Sequence, residues 1–196
     1  MKILLTGVNG QVGFYLNQKL SPFYEVFGVT RENFDLTNID QMRDVIDKFR
    51  PGLIINSAAY TYVDKAEKEP DLVFETNVVA TKFLAKKSEK LGIPLIQLST
   101  DYIFDGLKKE AYTEEDKANP QSVYGKSKYD AETAICECNP KHIILRTSWV
   151  YSLRGKNFLT TVLDMAKNNE SFNIVFDQTG SPTSAIFIAN TILEIT

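Results

Sequence analysis

Residues 3–13, ILLTGVNGQVG, decide the fold of this chain. A short apolar run precedes Gly7, Gly10 and Gly13, and the residues that follow are apolar at every fourth position. This pattern predicts a buried strand, a tight turn and an amphipathic helix. Glycines at such a turn let a pyrophosphate approach the backbone, and the helix N-terminus offers free N–H groups. The stretch therefore predicts a dinucleotide site, although the spacing G-x-x-G-x-x-G also suits a plain turn between strand and helix.

Short apolar runs and stretches of helical periodicity alternate along the rest of the chain. Further strands are predicted at residues 25–29, 53–55, 95–98 and 143–145, and helices at 39–49, 72–91 and 123–138. Strands that are apolar throughout, joined by helices, are typical of a parallel sheet that is covered on both faces. The sequence therefore predicts an α/β fold, a doubly wound (Rossmann) parallel sheet with helices on both faces.

The last forty residues bear on the domain organisation. A helix is predicted at 158–166, a strand at 174–176, and an apolar helix face at 186–193. The sequence ends on that last helix without Gly, Pro or a basic turn, so we expect its apolar face to pack on a later segment. We therefore expect a Rossmann domain followed by a segment that is truncated.

Composition excludes several classes of function. The 196 residues carry a net charge of -3 with both signs mixed, which argues against a nucleic-acid partner. The chain has no apolar run long enough to cross a membrane and no signal peptide, so we expect a cytoplasmic protein. Cys136 and Cys138 are too close together for an unstrained disulfide and have no metal-binding neighbours, so reduced thiols and no metal are expected. A Ser-His-Asp hydrolase would have to use His142, the only histidine, which is better placed at the start of a strand.

The end of the second predicted strand is where this fold recognises the adenosine ribose. An acidic residue there favours NAD, but the chain has Thr30 and Arg31, followed by Glu32. A guanidinium can bind the 2′-phosphate of NADP with two hydrogen bonds. We therefore expect NADPH to be preferred, with NADH as the alternative, and Asp35 and Leu36 to flank the adenine.

Candidate reacting groups follow the fourth strand and open a later helix. Tyr124 and Lys128 lie one helical turn apart, so an ammonium can lower the pKa of a phenol that protonates a ketone as hydride arrives. Tyr15 and Lys19 share this spacing but lie within the first helix. Ser99-Thr100-Asp101 follows the fourth strand at its carboxyl end, which is where ligands bind in this fold. A hydroxyl there could hold the same ketone oxygen as Tyr124. A plain Ser or Asx turn is the alternative.

Several motifs together resemble the extended short-chain dehydrogenase/reductase superfamily. They are TGVNGQVG at 6–13, NSAAYTYVDKAE at 56–67, STDYIFDG at 99–106, YGKSK at 124–128 and RTSWVY at 146–151. Within the superfamily they are most similar to the reductases of dTDP-rhamnose biosynthesis. The resemblance implies NAD(P)H-dependent reduction of the C4 ketone of a nucleotide sugar, dTDP-4-dehydro-L-rhamnose. It also implies an NADP-binding Rossmann domain at 1–177 and, at 178–196, the start of a substrate domain that is truncated. The alternatives are another nucleotide-sugar epimerase or reductase, or a non-catalytic NADP-binding regulatory subunit, and a homodimer is compatible with the sequence.

The resemblance also implies roles for individual residues. Tyr124 would protonate the ketone. Lys128 would lower the pKa of Tyr124 and hold the nicotinamide ribose, and Thr100 would be the third member of this catalytic triad. Asp101 and Trp149 would contact the sugar, although Trp149 also suits a plain core position. The residues implied at the cofactor are Gly10, Gln11 and Val12 at the pyrophosphate and Ala59, Tyr60, Thr61 and Leu98 along the groove.

Overall fold

A five-stranded parallel sheet forms the centre of the computed structural model, which describes residues 1–168, 171 and 173–196. The strands are β1 (Lys2–Thr6), β2 (Glu25–Val29), β3 (Leu53–Asn56), β4 (Leu95–Thr100) and β5 (His142–Thr147). Their order across the sheet is β2-β1-β3-β4-β5, and every neighbouring pair is parallel. The chain therefore reverses its winding direction between β1 and β3, where ligands bind in folds of this class. The predicted Rossmann fold is confirmed.

Helices cover both faces of the sheet. They are α1 (Gln11–Leu20), α2 (Ile39–Phe49), α3 (Val63–Ala66), α4 (Pro70–Phe74), α5 (Ala80–Leu91), α6 (Val123–Cys138), α7 (Phe158–Asn168) and α8 (Ala185–Glu194). A π-helical segment, Glu75–Val79, joins α4 to α5, and a 3₁₀ turn, Asp101–Ile103, follows β4. A second, smaller parallel pair is formed by β6 (Val150–Tyr151) and β7 (Thr183–Ser184).

Local signals account for where the helices begin and end. The Asn38 side chain accepts a hydrogen bond from the Gln41 N–H and so caps α2. Ser122 does the same for the Gly125 N–H at the start of α6. Gly92 ends α5 with a φ of +70°, a conformation that glycine adopts at little cost. These ends place Tyr124 in the first turn of α6, at the carboxyl edge of the sheet.

The core consists of two apolar layers, one on each side of the sheet. The layer beneath α1 and α8 contains Leu5, Leu16, Ile55, Ile188 and Ile192. The layer beneath α2, α5 and α6 contains Leu4, Met42, Ile54, Leu84 and Ile135. Both layers extend to the strand ends that carry the candidate site, so the site lies on a rigid base.

The last part of the chain differs from what its sequence predicts. Ile188 and Ile192 of α8 pack in the core against α1. Ile186 and Phe187 of the same helix are exposed, so packing of α8 on a later segment stays a prediction. No strand is described at residues 174–176, because these side chains are exposed and no neighbouring strand pairs with them. The helix at 158–166 is confirmed and extends to Asn168. The domain boundary between residues 177 and 178 stays a prediction. Among the described residues, the helices are too short or too polar to cross a membrane.

Candidate active site

The glycine turn between β1 and α1 leaves the helix N-terminus open. Gly7 has a φ of +68°, and its carbonyl accepts a hydrogen bond of 2.8 Å from the Gly10 N–H. A Cβ on Gly13 would lie 2.1 Å from the Gly7 carbonyl oxygen, so α1 can cross the turn this closely only with glycine there. In the described structure no side chain caps α1 at Gly10. The first N–H groups of α1 are therefore available to an anion, as expected of a pyrophosphate site.

The side chain of Gln11 ties a second loop to this turn. Its Oε1 accepts hydrogen bonds from Ser152 Oγ at 3.0 Å and from Asn157 Nδ2 at 2.9 Å. The same loop places the Arg154 guanidinium over the Phe14 ring, 4.2 Å from its centroid. Sequence reasoning missed these contacts, since they join residues about 140 positions apart. Val12 is buried in the core under α1.

Arg31 lies just beyond the end of β2, where the ribose argument places it. Its side chain is 79% exposed, and its Nε is 3.5 Å from Asp35 Oδ2. Desolvation opposes ionisation of Asp35, but hydrogen bonds from Thr37 and the charge of Arg31 hold its pKa below the ordinary value. The Thr30 N–H donates to the Asn33 side chain. Because an exposed ion pair is weak, Arg31 remains able to bind a phosphate.

Leu36 is buried in the core, whereas the predicted contact with adenine would need an accessible side chain. It is 8% exposed and belongs to the apolar layer beneath α2. Its contact with adenine stays a prediction.

The segment that follows β3 is held in place by an asparagine from the π-helical segment. The Asn77 Oδ1 accepts a hydrogen bond from the Tyr60 N–H at 2.8 Å, and its Nδ2 donates to the Tyr60 carbonyl at 3.1 Å. The same Nδ2 donates to Ser127 Oγ on α6 at 2.9 Å. Asn77 thereby joins the segment containing half-buried Ala59 and exposed Thr61 to the helix that carries Tyr124. Sequence reasoning missed Asn77, because Glu75 and Thr76 beside it are polar as well and no local signal distinguishes it.

Three predicted site residues come together at the carboxyl end of β4. The Thr100 hydroxyl lies close enough to the Tyr124 phenol to act on the pKa of Tyr124. The Thr100 hydroxyl also donates to Asp101 Oδ1 at 3.2 Å, and Asp101 Oδ2 accepts from Ser148 Oγ at 2.7 Å. The Tyr102 ring stands edge-on to the Tyr124 ring, with 5.7 Å between centroids. The arrangement presents a phenol and a hydroxyl side by side, with a carboxylate behind them.

The phenol of Tyr124 is protonated at neutral pH. Desolvation raises its pKa to about 12; the hydrogen bond with Thr100 opposes this shift, and the charge of Asp101 adds to it. Among the described residues the groups that act on this pKa are Thr100, Asp101 and Tyr102, so the lowering of the Tyr124 pKa by Lys128 stays a prediction. Tyr124 is therefore arranged as a proton donor rather than as a base.

Lys128 is buried with its ammonium turned toward the sheet. It is 4% exposed, and Nζ donates to the Leu98 carbonyl at 2.7 Å. Desolvation lowers the pKa of Lys128 to about 8, against the opposing charge of Glu132. Leu98, predicted to line the cofactor groove, thus contributes its carbonyl oxygen to holding the ammonium.

Trp149 has a backbone conformation that few residues other than glycine adopt. Its φ is +47°, and its ring is 5.4 Å from the Phe158 ring. A Cβ on Gly180 would lie 2.6 Å from Trp149 Nε1, so glycine lets residues 177–183 pass beside the indole. Trp149 is a strained, half-buried aromatic residue next to Ser148, which donates to Asp101, and this position fits a ligand contact better than core packing.

Comparisons with known proteins agree with this geometry. The family model described as RmlD substrate binding domain matches residues 1–196. A dTDP-4-dehydrorhamnose reductase from Sinorhizobium fredii is 45% identical over 195 residues, which are 100% of this chain and 66% of that protein. A crystal structure of a dTDP-4-dehydrorhamnose reductase from Clostridium acetobutylicum is 39% identical with a TM-score of 0.96, and the match covers 100% of this chain and 70% of that one.

A second solved structure carries a cofactor. The dTDP-4-dehydrorhamnose reductase from Bacillus anthracis, in complex with NADP, is 38% identical with a TM-score of 0.96 over 99% of this chain and 69% of that one. The chain spans about two thirds of the length of the curated relatives that it matches. The family model matches the whole chain, and the relatives share the fold and are closely similar in sequence. The chain therefore belongs to the RmlD substrate binding domain family, in which it is similar to dTDP-4-dehydrorhamnose reductases, and the resemblance seen in its motifs is confirmed.

Proposed function

We propose that this chain carries the reacting groups for NADPH-dependent reduction of the C4 ketone of dTDP-4-dehydro-L-rhamnose, giving dTDP-L-rhamnose. The observation that carries the proposal is the protonated phenol of Tyr124 beside the Thr100 hydroxyl, at the sheet edge that also holds the open glycine turn. The names of the relatives, dTDP-4-dehydrorhamnose reductase, support the substrate.

The residues present fit a dinucleotide. The close crossing of α1 over Gly7 leaves no room for a Cβ at Gly13, and uncapped N–H groups face the turn, which suits a pyrophosphate. Arg31 would bind the 2′-phosphate, and Lys128 would hold the nicotinamide ribose. The NADP in the Bacillus anthracis relative supports this choice. When bound, NADPH supplies the hydride for C4 of the sugar.

Tyr124 would donate its proton to the ketone oxygen, a step for which its pKa of about 12 keeps it protonated. The phenolate that remains would be stabilised by the positive charge of Lys128, one helical turn away, and by the Thr100 hydroxyl, which would then donate to it instead of to Asp101. Asp101 orients Thr100 by accepting its hydroxyl proton, and its second oxygen is held by Ser148. Trp149 would pack against the deoxyhexose, since its partly exposed ring lies at the same edge of the sheet.

Product analysis tests this proposal. The protein is incubated with NADPH and dTDP-4-dehydro-L-rhamnose, and the sugar is followed by proton NMR while NADPH absorbance is recorded. We expect dTDP-L-rhamnose to form with one NADPH consumed per molecule. A new sugar formed without net NADPH oxidation would identify an epimerase, and NADPH binding without turnover would identify a non-catalytic subunit; either result would refute the proposal.

Two narrower expectations accompany the proposal. Cys136 and Cys138 are free thiols, which suits a reducing compartment, and we expect the enzyme to work in the cytoplasm. A homodimer stays a prediction that sedimentation velocity would test.

A further inference from the structure

A second buried charge lies one helical turn beyond Lys128 on α6. Glu132 is 3% exposed and Lys128 is 4% exposed, and their spacing of four places both on one face of the helix. Burying a charge away from water is costly unless a partner compensates it. Among the described residues, Glu132 is the carboxylate whose charge acts on Lys128. The two buried charges therefore lie one turn apart on the helix that also carries Tyr124, and the charge of Glu132 favours the protonated form of Lys128.

Arg146 on β5 fixes the carboxylate of Glu132. Its Nη2 lies 2.8 Å from Glu132 Oε2, and its Nε lies 3.2 Å and 3.3 Å from the two carboxylate oxygens. The guanidinium itself is placed over the Phe104 ring, 5.4 Å from its centroid. Such a forked pair fixes orientation as well as charge. The Glu132 carboxylate therefore has one position available to it.

We infer that Glu132 is a positioning residue that keeps Lys128 charged in its buried site, with Arg146 holding the Glu132 carboxylate in place. The inference rests on the proposed function, because the charge on Lys128 matters to a phenol that becomes negative as it gives up its proton. Neither Glu132 nor Arg146 need touch the substrate or the cofactor for this role. Their effect reaches the reaction through Lys128.

The direction of the effect follows from the groups that surround Lys128. Desolvation lowers its pKa to about 8, and Glu132 opposes that shift. From β4 the neighbour is the neutral Leu98 carbonyl, and from β5 it is Arg146, whose charge Glu132 neutralises. Without the Glu132 charge the pKa of Lys128 falls further, and an unpaired Arg146 acts in the same direction. Lys128 then loses its proton at a lower pH, and the rate of reduction falls earlier as the pH rises.

NMR titration of the protein without substrate or cofactor tests this directly. The 13Cε resonances of the lysines are followed against pH in the wild type and in Glu132→Gln, with the Lys128 signal assigned from Lys128→Arg. We expect Glu132→Gln to lower the titration midpoint of Lys128 by about one pH unit. Glu114→Gln is the matched control, since Glu114 acts on Arg146 but not on Lys128, and its midpoint should equal that of the wild type. An unchanged midpoint in Glu132→Gln would overturn the inference.

A second variant and a second measurement keep the test decisive. If Glu132→Gln fails to fold, Glu132→Gln/Arg146→Gln removes the unpaired guanidinium as well, and its Lys128 midpoint must still lie below that of the wild type. In the folded variant, the alkaline limb of kcat/KM should move to lower pH together with the midpoint. A lowered midpoint in a protein whose wild type shows no turnover would refute the proposed function but not the link between the two charges. If the wild type shows turnover but Glu132→Gln leaves the Lys128 midpoint unchanged, the inference is refuted and the proposed function is not.

Discussion

The pKa values of Tyr124 and Lys128 are shifted in opposite directions by the same cause. Desolvation penalises the ionised form of each, so it raises the pKa of Tyr124 to about 12 and lowers the pKa of Lys128 to about 8. A general acid for ketone reduction must hold its proton until the hydride arrives, and this phenol does so at neutral pH. The ammonium that would stabilise the resulting phenolate is present below about pH 8 and is lost as the pH rises through that value.

Arg31 provides a residue-scale prediction about cofactor choice. Arg31→Ala removes an exposed guanidinium that pairs only weakly with Asp35. The main effect should therefore be weaker binding of the 2′-phosphate. We expect the ratio of kcat/KM for NADPH over NADH to fall by about tenfold or more, since a hydrogen bond to a charged group contributes ~1.5–3 kcal/mol. Steady-state kinetics with both cofactors measures the ratio.

Arg43→Ala is the control for this prediction. Arg43 pairs with Asp40 on α2, and its guanidinium lies over the Phe83 ring, so its removal should leave the ratio unchanged. A wild-type ratio in Arg31→Ala would mean that another group recognises the ribose.

Part of the site could be predicted from the sequence, and the rest depends on contacts between distant residues. Tyr124, Thr100 and Asp101 lie in motifs with a fixed place relative to β4 and α6, so their neighbourhood follows from the fold. Asn77 and Ser148 could not be found this way, because they act through partners 50 and 47 positions away. The direction of the Tyr124 pKa shift was also missed, since a spacing of four residues carries no information about burial.

At the scale of elements, the β1–α1 unit requires α1 to pass very close to the glycine turn that precedes it. The Gly7 carbonyl occupies the space where a side chain at Gly13 would begin. The proposed pyrophosphate site depends on this crossing, because it brings the first N–H groups of α1 over the turn.

Gly13→Ala should therefore damage both stability and cofactor binding. The added methyl group must push α1 away from β1, and we expect a loss of about 1–3 kcal/mol in the free energy of unfolding, together with weaker NADPH binding. Urea denaturation and fluorescence titration measure the two effects. Gly52→Ala is the control, since its Cβ would meet the flexible Met1 side chain at 3.2 Å and the Lys2 carbonyl at an ordinary contact distance of 3.7 Å. Wild-type stability and affinity in Gly13→Ala would show that the close crossing is not required.

Element boundaries were predictable where a local chemical signal marks them. Asn38, Ser122 and Gly92 each end or begin a helix through their own side chain or backbone freedom. The π-helical segment was not predicted, since residues 72–91 show one continuous helical period. The predicted strand at 174–176 was wrong because three consecutive apolar residues do not specify a strand without a neighbour to pair with.

At the scale of the whole molecule, α8 shows what periodicity leaves open. Its apolar residues were recognised from the sequence, but a hydrophobic face does not say which surface it will cover. The structure places Ile188 and Ile192 against α1, so the helix that forms the pyrophosphate turn is covered by the last helix of the chain. Cofactor binding at the turn should therefore stabilise the whole fold rather than one loop.

Saturating NADPH should raise the melting temperature of the entire chain. At a concentration of 100 times Kd, binding to the native state alone adds about 2.7 kcal/mol to the free energy of unfolding. For a chain of this size we expect an increase of about 5–10 °C, measured by differential scanning calorimetry as a single shifted transition. NADH at the same concentration should produce a smaller shift. An unchanged transition with NADPH would contradict a dinucleotide site in this fold.

The most direct test of the central claim is the turnover of Tyr124→Phe with NADPH and dTDP-4-dehydro-L-rhamnose, measured beside its NADPH affinity. The substitution removes the hydroxyl and keeps the ring, and we predict a loss of about 100-fold or more in kcat with NADPH affinity retained. Tyr129→Phe, an exposed tyrosine on the same helix, should keep wild-type kcat. Wild-type turnover in Tyr124→Phe would contradict the account, because the proton would then come from another group.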